Sequence, residues 1–318
     1  LKILILIKRF ADKWPKHKHK FDMITAIEKY ANVYYWHEDG DIRQIIYDLG
    51  FKPDFILHYD IEWNYVYSPK IEGLDGINIP KGCFVLDLHY SKKTRKKYFE
   101  DNKVDLIFSA CKNPFLEIFP EYSQKFRWIP FSVNEDIIKD WNLEKDIDFL
   151  LMGQLFYKDK KNPPKRLPPK GRYKFREEVL RKMKDRKDFV FFPHPGHYVI
   201  PSNDIIVNEK YAKTINRSKI FFTCGGSFLY AVAKYFEVPG CRSLLFAKPN
   251  KDVYELGFSD GTNFVKCNEL DFYDKAMYYI RNDKERERIT KNGYDFIHAS
   301  HTNTVRAKQI VDYIYEFI

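Results

Sequence analysis

The stretch Lys219-Ile220-Phe221-Phe222-Thr223-Cys224-Gly225-Gly226-Ser227-Phe228-Leu229-Tyr230-Ala231-Val232-Ala233-Lys234-Tyr235-Phe236-Glu237 decides how this chain is read. Lys219–Thr223 is a short apolar run of the kind that forms a strand buried on both faces. The pair Gly225-Gly226 interrupts it, and Phe228, Val232 and Phe236 then recur at i, i+4 and i+8, which marks one buried helix face. Ser227 is placed to cap that helix. A strand entering a helix through two glycines also lets an anion approach unpaired backbone N–H groups at the positive helix end. Val238-Pro239-Gly240 predicts the helix stop, and Ser243–Ala247 the next strand.

Working outward, the same alternation fills the chain and predicts an α/β fold with parallel sheets. Before this stretch the second half has strand candidates Asp148–Met152, Asp188–Phe192 and Asp204–Val207; after it come Arg242–Ala247 and Asn263–Lys266. In the first half they are Lys2–Ile7, Val33–Trp36, Phe55–His58, Cys83–Asp87, Asp105–Ser109 and Arg127–Ile129. Helices are expected over Lys20–Tyr30, Ser91–Asn102, Lys174–Arg186 and Phe228–Glu237. From Asp271 the pattern is nearly continuous helix, with interruptions expected at Asn292-Gly293 and within His298–His301. A boundary near Asn134–Lys145 divides the chain into domains 1–140 and 141–318. No Gly/Ser linker lies there, so two domains facing a cleft are expected.

Composition bounds the function. With 44% hydrophobic residues in 318, each half can bury a core, and bulk disorder is excluded. The apolar run Ile3–Ile7 is too short for a signal peptide or membrane span, so no stable membrane insertion is expected. Five widely spaced cysteines without a CxxC pair point away from a disulfide framework or zinc site and towards a cytoplasmic location. The net charge of +10 favours anionic partners.

The stretch Tyr211–Ala247 (YAKTINRSKIFFTCGGSFLYAVAKYFEVPGCRSLLFA) resembles the C-terminal domain of GT-B glycosyltransferases, nearest to the spore-maturation (CgeB-like) branch. Tyr254-Glu255-Leu256-Gly257, Ile280–Ile289 and Asn292-Gly293 are similar to that family's closing segments, and Arg127–Val133 with Asp148–Gly153 to its domain junction. The resemblance runs from about Arg127 to the C-terminus. It implies two Rossmann-like domains, a last helix that packs back toward the first, and transfer of a sugar from a nucleotide-diphosphate sugar, UDP-linked. It further implies that Glu237 binds the donor ribose, that Gly225, Gly226 and Ser227 face its phosphates, and that Lys234 stands where the family has Arg. Gly153, Gln154 and Arg176 would complete the donor site. Leu229 occupies the position of a second glutamate common in retaining enzymes, so the stereochemical outcome stays open.

Other candidates come from the residues themselves. His194, with His197, sits in a loop after a strand, where α/β folds bind ligands. Asp87, with His89, is the expected base for an acceptor hydroxyl; Asp60 and Glu62 are rivals. Asp39-Gly40-Asp41 and Asp146-Ile147-Asp148 match a DxD pattern without a convincing setting, so neither metal nor cofactor is expected. Basic clusters at Lys13–Lys20, Lys92–Lys97 and Lys158–Arg176 follow predicted strands. They make Lys16, Lys18, Lys20, Lys165 and Arg166 candidates for holding an anionic acceptor, either DNA or a phosphate-rich polymer. A non-catalytic nucleic-acid-binding protein is the alternative. A dinucleotide oxidoreductase is disfavoured because no GxGxxG follows the first strand.

Overall fold

A computed structural model describes residues 1–158, 167–200, 202 and 204–318. The chain forms two compact units, Leu1–Pro130 with Asn303–Ile318, and Phe131–Thr302. Strands are β1 (Lys2–Leu6), β2 (Asn32–Trp36), β3 (Gly40–Asp41), β4 (Phe55–His58), β5 (Ile71–Glu72), β6 (Lys81–Val85), β7 (Leu106–Ser109) and β8 (Phe126–Trp128) in the first unit. The second unit has β9 (Ile147–Gly153), β10 (Phe189–Pro193), β11 (Ser218–Cys224), β12 (Leu244–Lys248) and β13 (Val265–Lys266).

In the first unit the main sheet has the order β2-β1-β4-β6-β7-β8, and every pairing is parallel. Apart from the exposed Lys2, β1 and β4 are buried and almost wholly apolar because parallel connections cover both faces of the sheet. The chain steps from β1 to β2 and then returns across β1 to β4. Strand order therefore reverses between β1 and β4, which gathers the loops after them at one edge. The last helix, Asn303–Phe317, belongs to this unit. It buries Ala307, Ile310, Val311 and Ile314 against the helical residues 18–29. The Arg306 Nε donates to the Pro130 carbonyl at 3.2 Å.

The second unit repeats the plan with the order β10-β9-β11-β12-β13, again all parallel. Alternate residues of β9 divide between two cores. Leu150 and Met152 join Phe221, Phe236, Val238 and Leu245 on one face; Phe149 and Leu151 join Phe175, Phe222, Phe246 and Phe272 on the other. Residues 131–140 count with this unit: Val133 and Ile138 enter its core, and Asp140 pairs with Arg242 at 2.7 Å.

Two local expectations change. Residues 204–207 form no strand; a turn leads directly into the helix Asn208–Asn216. Asn292-Gly293 does not interrupt its helix, which runs unbroken over Asp283–Ser300 and ends at His301. Gly293 is there for proximity, since a Cβ would stand 2.6 Å from the Asn263 carbonyl oxygen and 3.1 Å from Pro239 Cβ. Gly293→Ala is therefore expected to destabilise the protein by about 1–3 kcal/mol through overpacking, although Ala is the better helix former. Urea unfolding would measure it, and an unchanged midpoint would refute the close packing.

Candidate active site

The second unit's switch point lies between β9 and β11, and the expected donor residues meet there. Gly153 ends β9 with φ +139°, a conformation that side chains disfavour. A Cβ at this position would lie 3.4 Å from Arg176 Nη1 and 3.6 Å from Lys234 Cε, so the bare backbone lets two cations approach. Arg176 projects from the helix Lys174–Met183 and is buried. Its guanidinium donates to the carbonyls of Gln154 (3.2 Å) and Cys224 (2.7 Å), with the Thr223 hydroxyl at 3.4 Å. It stacks on Tyr173, and its Nε is buried without a hydrogen-bond partner. Among the described residues no carboxylate pairs with either cation. Burial lowers the Lys234 pKa, Glu237 opposes that shift and Arg176 adds to it. A buried guanidinium and a half-buried ammonium thus stand close together with no carboxylate among the described residues at salt-bridge distance, an arrangement that can accept an anion.

Glu237 lies in the first turn of its helix and accepts the Tyr211 hydroxyl at 2.7 Å. Gln154 shares a hydrogen bond with His197 Nε2 at 3.2 Å and accepts from the Tyr173 hydroxyl at 3.4 Å. The backbone N–H of Gly196 donates to His194 Nδ1 at 3.0 Å, which assigns the neutral ring's proton to Nε2. Tyr211 and Thr223 were not singled out beforehand; they read as ordinary helix and strand residues until folding sets them beside Glu237 and Arg176.

The glycine pair departs from expectation. Residues 225–233 are irregular, and the helix begins only at Lys234, with Ala233 as its N-cap. Ser227 does not cap it; its hydroxyl accepts from Arg172 Nε at 3.0 Å. Leu229 takes φ +50° and is 63% exposed, which breaks the Phe228–Val232–Phe236 stripe. Pro239 does not stop the helix either; it sits in the last turn of Lys234–Gly240, where only one intrahelical bond is forfeited.

In the first unit the loops after β4 and β6 gather acidic groups. Asp87 Oδ1 accepts from the backbone N–H of His89 (2.8 Å) and from His89 Nδ1 (2.7 Å). Burial alone would raise the Asp87 pKa, but these bonds hold it below the ordinary range. Asp60 is buried and gripped by both Arg95 nitrogens, at 2.5 and 3.1 Å. Arg95 was hidden by its basic neighbours, yet it falls at i, i+3, i+4 with Tyr98 and Phe99 on the buried face.

Much of the positive charge expected to meet an acceptor is neutralised within the unit. Lys18 pairs with Asp22, Lys20 with Glu62 at 3.6 Å, Lys96 with Glu121 and Lys97 with Asp101. Lys16 is half-buried beside this segment. Lys165 and Arg166 lie outside the described residues. Both DxD candidates are structural: Asp39 accepts from Lys70 N, Asp41 caps the helix Ile42–Leu49, and Asp146 and Asp148 pair with Arg217 and Lys219.

Because the half-buried Lys234 ammonium has no carboxylate among the described residues within salt-bridge distance, Lys234→Met is expected to stabilise the ligand-free protein by about 1 kcal/mol. Denaturant unfolding measures this, and a loss of stability would mean that Lys234 is already compensated.

The model of the glycosyl transferase-like family matches residues 136–312, more than half of the chain. No curated protein sequence matches it. Solved structures with the same fold include Anabaena HepE in complex with UDP-glucose, at 10% identity and TM-score 0.59, covering 99% of both chains. A glycosyltransferase from Rickettsia africae ESF-5 aligns at 11% identity and TM-score 0.61, covering 99% of this chain and 98% of its own. An α-glucosyltransferase in complex with UDP and a 13-mer DNA aligns at 12% identity and TM-score 0.59, covering 99% of both. The chain belongs to the glycosyl transferase-like family and is a glycosyltransferase of GT-B fold.

Proposed function

We propose that the enzyme transfers a sugar from a UDP-sugar to an acceptor hydroxyl, with the nucleotide held in the second unit. The observation that carries this reading is the meeting of Arg176 and Lys234 beside Gly153 without a counter-ion. A diphosphate supplies the missing negative charge, and two structural relatives were solved with UDP or UDP-glucose. Glu237, oriented by Tyr211, accepts ribose hydroxyls. Gln154, His194 and the 225–227 segment, Gly225, Gly226 and Ser227, line the remaining donor surface. Within the family, the motif order of residues 211–247 supports the CgeB-like branch.

In the reaction the acceptor oxygen bonds to the anomeric carbon as the bond from that carbon to UDP breaks. Arg176 and Lys234 stabilise the charge developing on the departing diphosphate, so the reading is metal-independent. The Asp87–His89 pair takes the acceptor's proton. An anionic acceptor, DNA or a phosphate-rich polymer, is supported by the net charge of +10 and by the relative solved with DNA. Lys16, Lys165 and Arg166 are the candidates for that contact, and Lys18 and Lys20 have carboxylate partners within their own unit. Five buried free cysteines support a cytoplasmic location.

UDP at a hundredfold excess over its Kd is expected to stabilise the protein by about 2.7 kcal/mol, read as a rise in Tm, and Glu237→Ala to reduce that rise. Absence of any shift with UDP in the wild-type protein would sink the donor assignment. Binding of a DNA oligonucleotide is expected to weaken steeply between about 50 and 200 mM salt. DNA binding that survives Glu237→Ala, without consumption of any UDP-sugar, would instead mark a non-catalytic nucleic-acid binder.

A further inference from the structure

Two carboxyls, Asp60 and Glu62, share two cations, Arg95 and Lys20, after β4 of the first unit, and Asp87 lies near enough to act on Glu62. Asp60 uses both oxygens: besides Arg95 it accepts the N–H of Leu86 at 2.6 Å and of Glu62 at 3.1 Å. Asp87 is bonded to His89, and its carbonyl takes Arg95 Nη2 at 2.9 Å. Glu62 is treated differently. It is 1% exposed, its nearest cations stand at 3.6 Å (Lys20) and 3.8 Å (Arg95), and its Oε2 is buried without a hydrogen-bond partner. A carboxylate that is desolvated and lacks donors is the first of such a set to take a proton.

The backbone holds Glu62 there. Trp63, Asn64 and Tyr65 have φ of 53°, 59° and 61°, three consecutive residues in the left-handed region that side chains normally avoid. Strain of this kind persists where the surrounding structure enforces it, often at functional sites. The groups facing Glu62 are Lys20 from the helix Lys18–Thr25, Asp60 and Tyr59 after β4, Asp87 and His89 after β6, and Arg95 from the helix Lys92–Asp101. The Lys20 ammonium also lies 4.7 Å from the Tyr67 ring, whose hydroxyl bonds His17.

We propose, on the basis of the glycosyl-transfer reading, that Glu62 is a positioning residue that carries the exchangeable proton of this cluster and thereby sets the basicity of the Asp87–His89 pair. Burial, with Asp60 and Asp87 adding and Lys20 and Arg95 opposing, raises Glu62 to about 7. When Glu62 ionises, the cluster gains a third negative charge, and Asp87 is repelled in its charged form. The pair then holds a proton more tightly, so it accepts the acceptor's O–H proton more readily. Transfer rises with pH as Glu62 loses its proton.

The test uses the full chain between about pH 5 and 9. Infrared spectra are expected to show a protonated-carboxyl band in the wild type that disappears near neutrality and is missing in Glu62→Gln. The NMR shifts of the Asp87 carboxyl are expected to move in step with that band in the wild type and to lose this step in Glu62→Gln. Release of UDP from UDP-glucose is expected to climb roughly tenfold per pH unit below the midpoint in the wild type, to stay low and flat in Glu62→Gln, and to regain its slope in Glu62→Asp. UDP affinity, measured by calorimetry, is expected to be the same in all three. A wild type without the neutral-range band, or a Glu62→Gln variant whose Asp87 shifts keep the neutral-range step, overturns the proposal. Failure of the wild type to bind UDP overturns the donor reading instead, while the infrared and NMR results still decide the role of Glu62.

Discussion

The absence of a side chain at Gly153 is the constraint on which the second unit's site depends. The residue ends β9 in a conformation suited to glycine, and the space beside it is taken by Arg176 and Lys234. A side chain there would be strained by the backbone conformation, and its Cβ would come into van der Waals contact with both cations. The neighbouring bonds follow from this approach: Arg176 to the carbonyls of Gln154 and Cys224, and Gln154 to His197 and Tyr173. The parallel sheet supplies the rest, since its reversal of strand order leaves an opening between β9 and β11 that a helix-borne arginine can enter.

The two units handle buried charge in opposite ways. In the first, Arg95 is consumed by Asp60 in a two-pronged pair, and Lys20 lies beside Glu62. Charge there is nearly balanced internally, with one surplus carboxyl. In the second, Arg176 rests on carbonyls and an aromatic face, and Lys234 is desolvated beside the Tyr211 ring. Partial dipoles satisfy geometry without cancelling charge, so this site keeps a positive potential for a ligand.

Strand positions were legible because strands buried on both faces are written as uninterrupted apolar runs. Lys2–Leu6 and Phe55–His58 are clear examples. Helices whose caps and stripes agree were also readable, as in Lys92–Asp101 with Ser91 as its cap. The readings that failed involved glycine and proline. Gly293 and Pro239 are punctuation in isolation, yet here they are the two sides of one close contact between helices. The apolar spacing after Gly226 imitated a helix, although Leu229 turns outward in a left-handed conformation and the chain stays irregular to Ala233.

The amino-acid sequence alone determined the α/β class, the parallel sheets and the division into two units. Each rests on local hydrophobic patterning or on residues within one motif. Only the tertiary structure decided which charges are neutralised. Lys18 and Lys20 looked like part of a basic surface and are paired, whereas Lys234 is half-buried with no carboxylate among the described residues at salt-bridge distance. Electrostatic free energy depends on distance and solvent exposure, and both are set by contacts between residues far apart in the chain.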